Sequence, residues 1–253
     1  MPTGIGGEKL WLSPTVANNV NPFDDQSGQG NNGTGQGGIS TIADTGSGGS
    51  YCYEFDGTDD YIDTSSVLGL GSGDWSFSFW AKTSSSSAGT MFSTYNQSNG
   101  KWFAAEINGD VNGGADVGTV RAGIDDDTTK KVTTSYTATY NDGTWRHFIV
   151  ERNNTDQKLR VREGGTSVST VSIGSYGSLT STIPLRIGAN GTVGGGFLNG
   201  QLDDIRFYNR LLTQAEITHL ATSRGVLGPP GGATHYNPFK SHAFTNDSQQ
   251  RLR

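Results

Sequence analysis

Only one cysteine, Cys52, occurs in 253 residues, so no disulfide can form within the chain. No apolar run is long enough to cross a bilayer as a helix. The opening MPTGIGGEKLWLS has no charged n-region leading into an apolar h-region, so it reads as lacking a secretion signal. On that reading, the Asn-x-Ser/Thr triplets at Asn32, Asn96, Asn153, Asn190 and Asn246 are composition rather than glycosylation sites. Charged residues are 17% and the net charge is −6, which argues against a nucleic-acid-binding body. No C-x-x-C, H-E-x-x-H, P-loop or dinucleotide fingerprint is present. Of four histidines, His147 shares a strand face with Trp145 and Ile149, which suits a satisfied structural imidazole better than a catalytic one.

Glycine is abundant instead, at 38 residues, with Ser, Thr and Asn common and aromatics at 10%. This composition suits many short strands joined by turns around an aromatic core. Several stretches alternate at the strand period. In YCYEFDGTDDYID, Tyr51, Tyr53 and Phe55 share one face against Cys52 and Glu54; Asp56–Asp60 turns the chain, and Tyr61-Ile62 is expected to start the partner strand of a hairpin. In DWSFSFWAK, Trp75, Phe77, Phe79 and Ala81 oppose Ser76, Ser78 and Trp80. WRHFIVER and KLRVRE read as a hairpin across Asn153–Asp156, and Lys131–Tyr140 as a Thr- and Tyr-rich strand.

The stretch GFLNGQLDDIRFYNRLLTQAEITHLA, residues 196–221, organises the rest. Strict alternation places Asp203 with Ile205 and Phe207, and Leu202, Asp204, Arg206 and Tyr208 on the other face. Asp203 therefore needs a partner, whether backbone amides, a cation or a metal, while Asp204 is expected to be dispensable. Thr213 and Glu216 form a capping box, and Leu212, Ile217 and Leu220 share a face of the helix it starts.

These stretches resemble a laminin G-like, concanavalin A-like jelly roll. "F-D-G-x-D-D-Y-I" is met by Phe55–Ile62, and the "F-T-I-S-F-W-V-K" strand by residues 75–82. The opening "D-x-S-G-N-G-N-x-G-T" is met by 25–34 with Gln29 substituted, and the terminal "[V/I]-D-x-[V/I]-R-[V/I]-Y" strand by 202–208. The resemblance spans about Leu10–Ala221 and implies an all-β, two-sheet antiparallel sandwich with one short C-terminal helix. It implies a structural calcium held by Asp203 with the Asp56-Gly57 turn, equally weighed against Asp203 accepting backbone amides. Sugar-cleaving relatives need E-x-D-x-E or E-x-D-x-x-E on one strand. None of the glutamates, Glu8, Glu54, Glu106, Glu151, Glu163 and Glu216, starts such a pattern, since Glu54 and Asp56 run into a turn. The chain is therefore expected not to be an enzyme.

Glycan binding needs aromatic platforms beside polar groups. Trp80, Tyr95, Trp102, Tyr136 and Tyr140 are the candidates, with core packing the alternative for each. Domain organisation is expected as a jelly roll over 1–221, a Gly/Pro linker over 222–232 and an extended arm over 233–253. Residues 222–253 carry four cations against Asp247, a net +3, which leaves −9 on the body. Tyr236, Phe239, Phe244 and Lys240 are the expected anchors of that arm on a partner protein or a neighbouring copy, in cis or in trans. Together these point to a non-catalytic module on a virion or cell surface, of decoration or fibre type. A free lectin is the alternative.

Overall fold

The computed structural model describes residues 5–14, 21–44, 50–64, 67–95, 100–109, 116–136, 138–191 and 195–224. In chain order the strands are β1 (Glu8–Leu12), β2 (Thr34–Gln36), β3 (Ser40–Asp44), β4 (Ser50–Asp56), β5 (Tyr61–Asp63), β6 (Trp75–Lys82), β7 (Gly89–Ser93) and β8 (Lys101–Ile107). They continue as β9 (Val120–Asp126), β10 (Lys130–Ser135), β11 (Arg146–Asn153), β12 (Lys158–Glu163), β13 (Thr166–Ser172), β14 (Arg186–Ile187) and β15 (Asn199–Tyr208), followed by the helix α1 (Gln214–Thr222). An 8-stranded antiparallel sheet runs β13-β12-β11-β6-β15-β4-β3, with β1 also paired to β15. A 7-stranded sheet runs β10-β9-β8-β7-β14-β5-β2. The two form the expected sandwich.

Alternation explains the core. Trp75, Phe77, Phe79 and Ala81 of β6 face inward, and Phe77 lies 4.7 Å from Phe207 and 4.9 Å from Phe103 between ring centroids. Each such ring stabilises the fold by about 1.5–3 kcal/mol through burial. Phe55 packs directly on Gly188, where a Cβ would stand 2.2 Å from the ring and where φ is +89°, so both space and backbone require glycine.

Residues 51–63 do not form the expected hairpin. β4 pairs with β3 and β15, whereas β5 pairs with β14 and β2 in the facing sheet. The Asp56–Asp60 turn carries the chain between layers, because Phe55 and Ile62 both point into the same core from opposite sheets. The β11–β12 hairpin forms as expected.

The outer face of the 8-stranded sheet holds a second apolar cluster. There Ile217 and Leu220 of α1, with Leu212 just before its cap rather than on the helix as expected, join Ile149 and Tyr208. The capping box is made: the Thr213 hydroxyl accepts from the Glu216 amide at 3.3 Å, and Glu216 accepts from the Thr213 amide at 2.7 Å. His147 lies in this layer, buried, with Nε2 2.9 Å from the Ser78 hydroxyl. Burial drives its pKa down to about 3, so the imidazole is neutral.

Candidate functional site

The β15 strand departs from strict alternation. Asp204 has φ +47°, and the pairing with β6 slips between Asp203 and Arg206. This is a β-bulge. Leu202, Ile205 and Phe207 therefore enter the core together, while Asp203 opposite Trp80 and Arg206 opposite Ser78 face outward under the helix layer. The expected grouping of Asp203 with Ile205 and Phe207 is corrected by that extra residue. Asp204, expected to be dispensable, is instead built into a buried network. Its Oδ1 accepts from Trp11 Nε1 at 2.9 Å and Arg206 Nε at 2.8 Å, and it is 1% exposed.

Asp203 is fully buried. Its Oδ1 accepts from the Asp204 amide at 2.7 Å and the Ser13 hydroxyl at 3.2 Å. Its Oδ2 makes no hydrogen bond and faces Arg224 Nε at 3.7 Å. Asp56, with Gly57 after it, sits opposite Asn199, four residues back along β15 and about 13 Å away at strand rise. The structure therefore does not bring Asp203, Asp56 and Gly57 together. A guanidinium already occupies the side of Asp203 that a cation would need, so this carboxylate does not fit a calcium site. Burial and the neighbouring Asp204 push Asp203 up to about 8, against the Asp204 amide, Ser13 and Arg206. The ordinary value is 3.8, so a neutral Asp203 contributes fully below about pH 4, and that contribution is lost as pH rises through 8. The melting temperature should fall across this window and Asp203→Asn should flatten the fall. Calorimetry at successive pH values tests this, and equal slopes for both proteins would sink it.

A different acidic group does form. Asp56, Asp59 and Asp60 bring carboxylate oxygens within 4.8 Å of one another. Glu54, Asp56, Asp60, Asn199 and Ser40 line a cleft of about 410 Å³ beside it. The Asp56 amide donates to Asp60 at 3.0 Å, the Thr58 amide donates to Asp56 at 2.7 Å, and burial raises the Asp60 pKa.

The five aromatic candidates separate. Tyr140 is 1% exposed, edge-on to Phe148 at 5.2 Å, with its hydroxyl 3.0 Å from that of Ser135. It is a core residue, and the expectation of a glycan contact there is corrected. β10 ends at Ser135, not Tyr140, so the chain has room to turn Tyr140 back inward. Trp80 donates from Nε1 to the Leu220 carbonyl at 3.1 Å and lies 5.4 Å from the His147 ring, which fastens α1 rather than presenting a platform. Trp102 is 6% exposed, edge-on to Tyr95 at 5.9 Å, with Lys130 5.4 Å above its ring. Tyr136 is different: it is 70% exposed, and its hydroxyl donates to Asp116 at 2.8 Å. Asp116 also pairs with Arg121, a buried side chain whose Nε and Nη1 have no hydrogen-bond partner. The Tyr136 hydroxyl and Arg121 hold the Asp116 carboxyl below the usual carboxylate range. An exposed ring is thereby fixed in orientation from behind. In the sequence Asp116 is one acid of a loop with Asp110 and Asn112, and its links to Tyr136 and Arg121 span 20 and 5 residues.

The expected anchors Tyr236, Phe239, Lys240 and Phe244 lie outside the described residues. The last described residue, Arg224, pairs with Asp44 of β3 and lies 4.0 Å from the Trp145 ring. Burial lowers its pKa to about 10.

Residues 56–218 match the Laminin_G_3 family, the concanavalin A-like lectin/glucanases superfamily. The chain belongs to that family. No curated protein sequence matches it. Its fold is similar to that of domain 4 of AbnA, a GH43 extracellular arabinanase from Geobacillus stearothermophilus solved with arabinotriose. That match has TM-score 0.62 at 17% identity and covers 85% of this chain and 99% of that one. It is also similar to the binding domain of Paraclostridial Mosquitocidal Protein 1, with TM-score 0.62, 13% identity, and 83% and 51% covered. The receptor binding domain of the botulinum neurotoxin C/D mosaic serotype gives TM-score 0.60 at 14% identity, with 85% and 51% covered. The chain spans about half the length of the two toxin domains.

Proposed function

We propose that the chain is a non-catalytic binding module that takes glycans at the surface carrying Tyr136. It is displayed on a larger assembly, such as a virion or a cell-surface array, and attached through its C-terminal segment. The observation that carries the reading is the exposed Tyr136 ring fixed by Asp116 and Arg121. A sugar face stacks on such a ring without ordering it first, and preorganisation of this kind saves binding free energy. The arabinotriose-bound domain and the receptor-binding toxin domains support the same reading by fold. Tyr136→Ala should weaken glycan binding about ten-fold or more while changing stability by about 0.5 kcal/mol at most, as for an exposed side chain. A glycan array followed by titration of the best ligand measures this. Unchanged affinity would remove Tyr136 from the site. Full binding with no recruitment to any assembly would favour a free lectin.

In this reading a structural calcium is held by Asp56, Asp59 and Asp60, whose hard oxygens suit that ion, and not by Asp203. Chelation should lower the melting temperature of the wild type, and Asp59→Ala should abolish the difference. A melting temperature indifferent to calcium would exclude the ion. Cleavage of a polysaccharide by the wild type but not by Asp60→Asn would overturn the non-catalytic part.

A further inference from the structure

The two sides of the sandwich end differently. On one side β13 closes on β10 of the facing sheet: the Ser169 hydroxyl donates to the Thr134 carbonyl at 2.8 Å and meets the Thr133 hydroxyl. On the other side the 8-stranded sheet ends at β3, whose strand neighbour among the described residues is β4 alone. β3 reads Ser40-Thr41-Ile42-Ala43-Asp44. It carries no lysine or proline, and its pairing with β4 has no bulge, so three of the devices that blunt a sheet edge are missing from it. Tyr136, at the end of β10, lies on the closed side.

Each end of β3 carries a second feature. Asp44 takes the guanidinium of Arg224, after which 29 residues, 225–253, follow. Ser40 opens on the cleft lined by Glu54, Asp56, Asp60 and Asn199. The edge thus runs from where the C-terminal segment departs to an acidic cleft. That segment carries Lys240, Arg251 and Arg253 against Asp247.

We propose that the C-terminal segment of one copy adds as a strand along the β3 edge of a second copy, with its basic residues at Glu54, the carboxylate of the cleft that the calcium reading leaves unused. This rests on reading the segment as the attachment arm, and it names the partner and the surface. A strand added to an open edge gains backbone hydrogen bonds, and opposite charge sets its register. The segment's own edge is the poorer acceptor. The residues that first pass it are Gly225–Gly232, where Pro229 and Pro230 have no amide to donate. The aromatic part starts at Tyr236, twelve residues past Arg224, a reach of about 40 Å. Five residues of β3 span only about 17 Å. The contact is head-to-tail, so it closes into a ring or extends as an array, with the Tyr136 side turned away from the joint.

The test uses the full chain. Native mass and sedimentation should show an assembly that grows with concentration. Ser40→Lys with Glu54→Lys should weaken assembly about ten-fold or more, as like charges meet. Lys240→Glu with Arg251→Glu and Arg253→Glu should do the same, and mixing the two charge-reversed chains should restore it. Melting curves check that each variant folds. If the edge variant does not fold, chains bearing Ser40→Cys and Phe239→Cys are mixed. A disulfide should then join the two kinds of chain, because Cys52 is fully buried and does not compete. A single-chain mass at every concentration, assembly indifferent to edge charge, or absence of the mixed disulfide would overturn the inference. If the chain stays single yet residues 225–253 are still required for recruitment elsewhere, the arm reading stands and the second copy falls.

Discussion

Replacing Asp204 by alanine should cost about 3–5 kcal/mol of folding stability, the loss typical of breaking a buried ion pair from one side. The outer layer of the 8-stranded sheet holds one guanidinium, Arg206, between two carboxylates, Asp204 at 2.8 Å and Glu8 at 3.5 Å. The guanidinium also stacks on Trp11, 4.1 Å from the ring, and Arg206 is 2% exposed. Removing Asp204 leaves Arg206 and the Trp11 indole N–H without their nearest acceptor, in a place water does not reach. It also leaves alanine at φ +47°, where an L side chain other than Asn or Asp is strained. Asp59→Ala, exposed in a turn, is the comparison and should change stability by about 0.5 kcal/mol or less in the chelated protein. Urea unfolding of both variants measures the difference. A loss below about 1 kcal/mol for Asp204→Ala would show that the network adds little beyond its own desolvation cost.

Arg152→Met should be comparably severe, at about 3–5 kcal/mol. Arg152 lies opposite Trp75 on the inward face of β11 and is 0% exposed. Among the described residues it has no carboxylate partner. Instead it donates to the carbonyls of Gly71 at 3.2 Å, Gly177 at 3.0 Å and Tyr176 at 2.9 Å, tying two loops over one end of the core. Burial lowers its pKa, opposed by Tyr176, Asp126 and Asp74. Methionine fills much of the volume but leaves three carbonyls without their donor, and each such loss costs about 1–3 kcal/mol. A neutral or stabilising result would mean that the buried charge costs more than its hydrogen bonds return. Hydrogen exchange at Gly177 and Leu179 separates the cases, since the loops should open first if Arg152 holds them.

Both residues show where reading from sequence stops. Arg152 ends an alternating strand, WRHFIVER, and at the period of two it belongs inside, yet an arginine at a strand end ordinarily reads as solvent-facing. Only the loops at 71 and 176–177, distant in sequence, supply the acceptors that let it stay buried. Asp204 is the reverse case. Alternation places it outside, and nothing local marks the bulge, because the αL backbone is held by partners at positions 11 and 206 rather than by a glycine.

The sequence by itself determined the inward face of β6 and the capped helix after β15, and its resemblance to a known family implied the two-sheet sandwich. The first two follow from interactions within a few residues: the pleat's period of two, and a hydroxyl and a carboxylate three positions apart. Tertiary structure decided which aromatics are exposed. Tyr136 and Tyr140 are four residues apart and alike in chemistry. One is exposed because β10 ends before it and Asp116 holds its hydroxyl outside. The other is buried because Phe148 and Ser135 receive it. Tertiary structure also decided that Asp203 faces Arg224 and that β3 pairs, among the described residues, with β4 alone. Burial and edge exposure depend on what the rest of the chain packs against a residue, and no local period encodes that.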